Sequence, residues 1–285
     1  MKKAVIEIRD LVVEVGDRRL LDIPALTLWE GEHVALLGPN GAGKSSLLKA
    51  VGGLLAPTRG HVSVLGRQLG GAGAPMLNQR QWRLLRAEIG QLMQGLHLVP
   101  RLTALENVVL GALARPRVMA LWRSWLRCYP PALIQEASQA LAELGLAQRL
   151  HVRADRLSGG ERQKVSLARL RLQRARLILA DEPTSALDPS ATQQACQALL
   201  AAAQQASLLT VVHDPALLPM LAERVIGLKD GRLVFDVPIR DLNPTLLDRL
   251  YGCEGSTNAK LCSCLAAAPA LPTPSLELEL LPRVG

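Results

Sequence analysis

The chain opens with alternating apolar and polar positions. Val5-Ile6-Glu7-Ile8-Arg9 has the period of a half-buried strand, and residues 61–65 alternate in the same way. The rest of 4–37 predicts further short strands, with a turn at Gly16-Asp17. The N-terminal part is therefore expected to be an antiparallel β subdomain.

The spacing becomes helical between about residues 79 and 174. Thr103-Ala104-Leu105-Glu106 has the pattern of a capping box in front of an apolar run, and 132–144 is amphipathic. A short apolar strand, Ile89–Met93, lies within this stretch. We interpret about 79–174 as an inserted α-helical subdomain.

Strands and helices alternate again from Leu177. The pattern predicts a strand at 177–180, a helix at 189–206, a strand at 208–212 and a hairpin around Asp230-Gly231. This alternation is typical of an α/β core. After Tyr251 the chain is rich in Ser, Ala, Pro and Leu, and we interpret 252–285 as a low-complexity tail.

A glycine-rich segment between a predicted strand and a predicted helix carries the first chemistry. It fits the pattern Gly-x-x-x-x-Gly-Lys-Ser and reads Gly38-Pro39-Asn40-Gly41-Ala42-Gly43-Lys44-Ser45, followed by Ser46. Such a loop wraps backbone N–H groups around phosphates, and the helix N-terminus adds roughly half a positive charge. Lys44 is expected to reach the β- and γ-phosphates and Ser45 to ligate Mg²⁺. We therefore predict a nucleoside triphosphate site.

An apolar strand later in the chain ends in two carboxylates, Asp181 and Glu182. A buried parallel strand delivers its last residues to the edge of the sheet where ligands of α/β folds bind. Asp181 is expected to hold Mg²⁺, directly or through water. Glu182 is a candidate for polarising the attacking water.

A third motif, Leu157-Ser158-Gly159-Gly160-Glu161, precedes a predicted helix that Ser158 can cap. Together the phosphate loop, this motif, the Asp-Glu pair and a later histidine occur in the order of ATP-binding cassette (ABC) ATPases. The resemblance covers about residues 4–240. It implies a P-loop NTPase core of ABC type, in one ATPase domain over 1–251.

The resemblance also implies roles for residues that local patterns leave open. Gln94 is similar to the glutamine that senses Mg²⁺ and the membrane partner, and His213 to the histidine that touches the γ-phosphate. Ser158, Gly159, Gly160 and Glu161 resemble the signature that contacts the nucleotide of the opposite subunit. Asp188 resembles an aspartate at the same interface.

The assembly implied by this resemblance is a head-to-tail dimer with two ATP molecules and Mg²⁺ at its interface. Hydrolysis would reopen the dimer and drive integral membrane permease subunits, with a periplasmic substrate-binding protein acting indirectly. The chain would then lie peripherally on the cytoplasmic face of the inner membrane. One departure is Val15, since family members usually carry an adenine-stacking aromatic near this position.

Four segments resemble phosphonate-importer ATP-binding subunits more specifically. They are 96–108, 110–113, the Trp-containing stretch 121–126, and Asp248-Arg249-Leu250-Tyr251. An exporter or lipoprotein-release ATPase remains an alternative. A non-transport ABC ATPase is a second alternative, but it would need a coiled-coil insertion or a second cassette. A degenerate regulator is disfavoured because Lys44, Asp181, Glu182 and His213 are all present.

Composition changes this picture little. The net charge is +8, and much of the excess is arginine in clusters at 80–86, 115–127 and 169–176. Four Trp, two Tyr and one Phe leave few rings for base stacking, so nucleic-acid binding is not expected. We interpret the clusters as solvated faces, although an acidic partner would also fit. The segment 115–131 predicts either a packed loop or a protein-binding surface.

The five cysteines do not form a disulfide pattern, and no segment resembles a secretory signal or a membrane span. A reducing cytosolic location fits this pattern best. The Cys262-Ser263-Cys264 pair has no further ligands at metal-site spacing.

Overall fold

In the computed structural model, residues 2–70, 77–93, 97–115, 128–184 and 187–252 are described. They form two sheets with helices packed against the larger one. None of the helices in these ranges is long and apolar enough to cross a membrane.

The first sheet is antiparallel and four-stranded, in the order β2-β1-β4-β5. Its strands are β1 (Ala4–Val15), β2 (Arg18–Trp29), β4 (Arg59–Val64) and β5 (Arg67–Gly70). The prediction of short strands over 4–37 was wrong for the first two, which are twelve residues each. They pair along almost their whole length as one long hairpin, and two register shifts, at Val5 in β1 and at Leu20 in β2, interrupt the alternation of buried residues.

The second sheet is six-stranded, in the order β10-β9-β3-β8-β7-β6. Its strands are β3 (His33–Leu37), β6 (Ile89–Leu92), β7 (Leu177–Asp181), β8 (Ser207–Val211), β9 (Arg224–Lys229) and β10 (Arg232–Pro238). All neighbours are parallel except the β9–β10 hairpin. Every residue of β7 and β8 is buried, which explains their unbroken apolar runs.

Eight α-helices are described in these ranges, joined by several short 3-10 turns. They are α1 (Lys44–Val51), α2 (Gln79–Glu88), α3 (Ala104–Gly111), α4 (Pro131–Glu143), α5 (Gly159–Gln173), α6 (Pro189–Ala203), α7 (Leu218–Leu221) and α8 (Pro244–Tyr251). The predicted capping box is confirmed: the Thr103 and Glu106 side chains bond each other's backbone N–H groups. The predicted helices at 132–144 and 189–206 are confirmed as α4 and α6.

The two faces of the larger sheet bury different partners. Leu37 and Ala180 face a cluster built with α3, α4, α5 and α6. Leu36 and Leu179, one residue away on the same strands, face α1 and the antiparallel sheet. The larger sheet is thus the middle layer. The loops that follow the carboxyl ends of its parallel strands lie at the edge shared by the two outer layers.

Intramolecular partners account for many of the clustered arginines. Arg115 and Arg174 both donate to Glu136 on α4, at 3.0 and 2.8 Å. Arg171 donates to Glu143, and Arg176 to Glu88 at 3.0 Å. Burial alone would raise the pKa of Glu136, but its two arginines outweigh burial and hold that pKa below 4.5. Carboxylates of the same chain, rather than an acidic partner, thus pair with much of the positive charge at 169–176. Residues 117–127 lie outside the described ranges.

A buried amide fixes the loop that precedes α3. Asn107 is fully buried; its side chain accepts the Val99 N–H at 2.8 Å and donates to the carbonyls of Val99, Leu102 and Thr103. A single side chain thus pairs backbone groups along residues 99–103. This explains why a polar residue lies inside an apolar helix face.

We predict that Asn107→Ala lowers the free energy of unfolding by about 1–3 kcal/mol, because it leaves buried backbone groups unpaired. Denaturant unfolding followed by circular dichroism measures this change. Gln135→Ala, which removes an exposed amide from α4, is the matched control. Equal effects of the two substitutions would contradict the structural role of Asn107.

Candidate functional site

The phosphate loop leaves the carboxyl end of β3, the third strand of the larger sheet. Gly38 follows directly and has φ +154°, and a Cβ there would lie 2.1 Å from the carbonyl oxygen of Leu228 on β9. Only glycine fits this contact. Gly43, with φ 101°, closes the loop as the N-cap of α1. The predicted order of strand, glycine loop and helix is confirmed.

Lys44 is the first residue of α1 and is buried. Its Nζ donates to the carbonyl oxygens of Gly38 at 2.7 Å and Pro39 at 2.9 Å. Burial is the main cause that lowers the pKa of Lys44 below 10.5, while the carboxylates of Glu182 and Asp181 act in the opposite direction. The ammonium is thus held at the loop with part of its hydration removed, and an anion bound there would offset that loss.

The hairpin turn at Asp230-Gly231 braces the loop from outside. Gly231 donates its N–H to the Ala42 carbonyl at 2.9 Å, and its own carbonyl accepts the Asp22 N–H at 2.8 Å. A Cβ on Gly231 would lie 2.5 Å from the Leu20 carbonyl oxygen. The phosphate loop, β2 and the β9–β10 turn therefore meet in one close-packed junction.

The acidic pair lies where β7 ends. Asp181 is the last residue of the strand and is buried. Glu182 follows with φ 52°, a left-handed conformation that turns its side chain away from the strand direction. The Nε2 atom of His213, just after β8, lies 2.7 Å from Glu182 Oε1. The structure thus brings together two residues that are 31 positions apart.

Asp181 has a donor set suited to a hard cation. Its Oδ1 atom is buried and has no hydrogen-bond partner among the described residues. The Ser45 hydroxyl belongs to the first turn of α1, the helix that carries Lys44. Carboxylate and hydroxyl oxygens are the ligands that Mg²⁺ prefers, so the residues present fit the ion.

A cavity of about 870 Å³ opens over the phosphate loop. Its lining residues are Arg18, Arg19, Leu20, Asn40, Gly41, Ala42, Gly43, Lys44, Ser45, Ser46, Glu182, His213, Asp230 and Gly231. Residues 40–46 of the predicted phosphate-binding loop and the Glu182–His213 pair thus face one space, whereas Gly38 and Pro39 do not line it. Arg18, Arg19 and Leu20 were not among the predicted site residues, because a strand pattern does not show which loop the strand will cover. Asp230-Gly231 was predicted only as a turn.

Ser158, Gly159, Gly160 and Glu161 do not line this cavity. They form the N-terminus of α5, where Ser158 and Glu161 make a second capping box. Glu161 keeps a lowered pKa, chiefly because the Ser158 N–H donates to it. The predicted cap is therefore confirmed, but within one chain the motif does not line the cavity over the phosphate loop.

The α5 helix is tied to the loop after β7. The Gln163 side chain donates to the Pro183 carbonyl, and a Cβ on Gly160 would lie 3.2 Å from Leu187. Asp188 caps α6 by accepting the Ala191 N–H at 2.9 Å. The motif at 158–161 and Asp188 thus share one side of the chain.

Two further predictions concern Gln94 and Val15. Gln94 lies outside the described residues, as do Ser185 and Ala186, the stretch 121–126 and the tail from 253 onward. Val15 ends β1 and is 56% exposed, so the position where family members usually carry an adenine-stacking aromatic presents an aliphatic side chain.

Comparison with known proteins identifies the family. The ABC transporter family model matches residues 21–185. A phosphonates import ATP-binding protein, PhnC 2 of Synechococcus sp. (strain JA-2-3B'a(2-13)), is 40% identical over 241 residues, covering 84% of this chain and 86% of that protein. PhnC 1 of Rhodopseudomonas palustris (strain HaA2) is 38% identical over 251 residues, 87% and 86% of the two chains.

Solved structures agree with the fold. The dimeric ATP-binding cassette MJ0796, in a post-hydrolysis state bound to ADP and Pi, has a TM-score of 0.71 and 29% identity, and covers 83% of this chain and 100% of that one. An ATP-binding subunit of an ABC transporter has a TM-score of 0.68 and 26% identity, over 92% and 99%. By family model, relatives and fold, the chain belongs to the ABC transporter family and is one of its ATP-hydrolysing cassettes.

Proposed function

We propose that this chain binds and hydrolyses ATP to energise an importer of phosphonate or a related phosphorus oxyanion. The observation that carries the enzymatic part is the cavity where the Lys44 loop faces the Glu182–His213 pair. Support for the substrate comes from relatives at 36–40% identity, which are named phosphonates import ATP-binding proteins. The exporter and non-transport alternatives have no such support.

In this proposal the triphosphate lies along the backbone N–H groups of residues 40–46. Lys44 neutralises its negative charge, and the terminal phosphate faces Glu182 and His213. Ser45 and Asp181 hold Mg²⁺, with Gln94 as a further ligand. A bound Mg²⁺ supplies neutralisation of the charge that develops on the phosphate oxygens.

Glu182 accepts a proton from the attacking water through its carboxylate. The hydrogen bond from His213 fixes the orientation of that carboxylate in the cavity. When a γ-phosphate is present, His213 can donate to the phosphate instead. Hydrolysis is thus proposed to depend on the pair rather than on either residue alone.

Because residues 158–161 do not line the cavity, the structure supports a two-chain site. We propose that a second copy supplies Ser158, Gly159, Gly160, Glu161 and Asp188 to the nucleotide held by Lys44. The open N-terminus of α5 carries a partial positive charge suited to a phosphate. The family relation to a dimeric cassette supports this arrangement.

The remaining features of the proposal concern assembly. We propose one ATPase domain over 1–251 with a helical subdomain at about 79–174, followed by a tail at 252–285. The chain would dock on permease subunits at the cytoplasmic face of the inner membrane, and a periplasmic binding protein would deliver substrate to those subunits.

Lys44→Ala is predicted to abolish measurable binding of ATP, because no other described lysine or arginine in the loop can neutralise the phosphates. Isothermal titration calorimetry measures the affinity. Lys49→Ala removes an exposed lysine from the last turn of the same helix and should bind normally. Retained binding by Lys44→Ala would refute the phosphate-loop assignment.

Glu182→Gln is predicted to keep ATP affinity but to slow hydrolysis by about 10²–10⁴-fold, the usual contribution of a general base. The amide keeps an oxygen for His213, so the fold of the site should persist. An ATP-bound dimer should then accumulate in size-exclusion chromatography with light scattering. Glu223→Gln, at an exposed carboxylate, is the control; normal turnover by Glu182→Gln would exclude Glu182 as the base.

The transport role is tested by affinity purification of the tagged chain from detergent-solubilised native membranes. We expect a multi-spanning permease in the purified complex. Binding of phosphonate, phosphite and phosphate to the associated binding protein then identifies the substrate. Purification with only ribosomal or DNA-bound partners would contradict the transport role.

A further inference from the structure

A two-residue turn at Gly16-Asp17 joins β1 to β2 and pairs Val15 with Arg18. Residues directly opposite each other in an antiparallel pair have their side chains on the same face of the sheet. Val15 and Arg18 are therefore neighbours at the tip of this hairpin. The sequence alone distinguishes Val15, through the missing aromatic ring, but assigns no role to Arg18.

The junction with the phosphate loop fixes the direction in which the tip faces. Gly43 approaches β2 so closely that a Cβ there would lie 2.9 Å from the Leu20 carbonyl oxygen. Leu20 is the extra residue at the register shift in β2, and Arg18 lies between it and the turn. Both line the cavity above the phosphate loop.

Arg18 differs from its neighbour in having no internal partner. Arg19 forms ion pairs with Glu14 at 3.2 Å and Asp22 at 3.3 Å. The Arg18 side chain is exposed and makes no hydrogen bond or ion pair with any described residue. Its guanidinium is thus available to a ligand, whereas that of Arg19 is committed to the fold.

In the proposed ATP site, different walls of the cavity contact different parts of the nucleotide. Glu182 and His213 form the wall that takes the terminal phosphate, and the loop takes the chain of phosphates. The remaining wall contains Arg18, Leu20 and the Asp230-Gly231 turn, and in the proposed ATP site it is left for the nucleoside. No residue of that wall has an aromatic ring.

We propose that the planar guanidinium of Arg18 stacks on the nucleobase, with Val15 as an apolar support beside it. This inference rests on the proposed ATP site. Guanidinium planes stack on bases in proteins much as aromatic rings do. A cationic plane beside a base also tolerates different bases, because every base presents a π face. Arg18 is therefore a binding residue for the nucleoside and not for the phosphates.

The test compares two ligands, MgATP and magnesium tripolyphosphate, by isothermal titration calorimetry on the full chain. Arg18→Ala should weaken ATP binding by about 5- to 150-fold, the range expected for one base stack. Tripolyphosphate, which has no base, should bind as before. Arg18→Lys keeps the charge but loses the plane, so it should resemble Arg18→Ala.

Two further variants complete the test. Arg59→Ala removes an exposed arginine of the same sheet that does not line the cavity, and it should leave both affinities unchanged. Val15→Tyr in the Arg18→Ala background should restore ATP binding, because its ring would stand on the face that Arg18 left.

The possible results distinguish a failure of the stacking proposal from a failure of the proposed ATP site. Equal losses for ATP and tripolyphosphate would overturn the stacking role and make Arg18 a phosphate contact. Unchanged ATP affinity in Arg18→Ala would also overturn it. If the unsubstituted chain bound neither ligand, the ATP site itself would be wrong.

Discussion

The buried ammonium of Lys44 is the charge around which the site is organised. Two loop carbonyls hold it at 2.7 and 2.9 Å, and burial lowers its pKa. A charge in this setting is stabilised by an anion much more than an exposed lysine would be. The close contact of Gly38 with Leu228 and the helix N-cap at Gly43 keep the loop in the shape that this interaction requires.

The same junction relates the antiparallel sheet to catalysis. β2 and the Asp230-Gly231 turn are bonded to each other and to the phosphate loop. Through this contact the β1–β2 hairpin tip stands over the cavity, while Glu182 and His213 reach it from β7 and β8. In the proposed ATP site, the nucleoside and the terminal phosphate would therefore contact residues from different layers of the fold, positioned by one loop.

Local patterns predicted what depends on neighbouring residues. The phosphate loop, the capping box at Thr103, the helix cap at Ser158 and the acidic end of β7 follow from short motifs, and they appear where the sequence places them. Long-range packing decided the rest. The length of the β1–β2 hairpin depends on the partner strand β4, and the position of Arg18 over the cavity depends on a turn more than 200 residues away. The arginines at 169–176 looked like a surface feature because their carboxylate partners lie on other helices.

We propose that each ATP site is shared between two copies of the chain, since residues 158–161 do not line the cavity of their own chain. Mixing two inactive variants tests it: Lys44→Ala, which loses its own loop, and Gly159→Asp, whose new Cβ meets open space but whose charge opposes a phosphate. The mixture should regain part of the unsubstituted ATPase rate, because mixed dimers contain one intact loop facing one intact α5 N-terminus. Full activity of Gly159→Asp alone, or a mixture as inactive as its components, would contradict the claim.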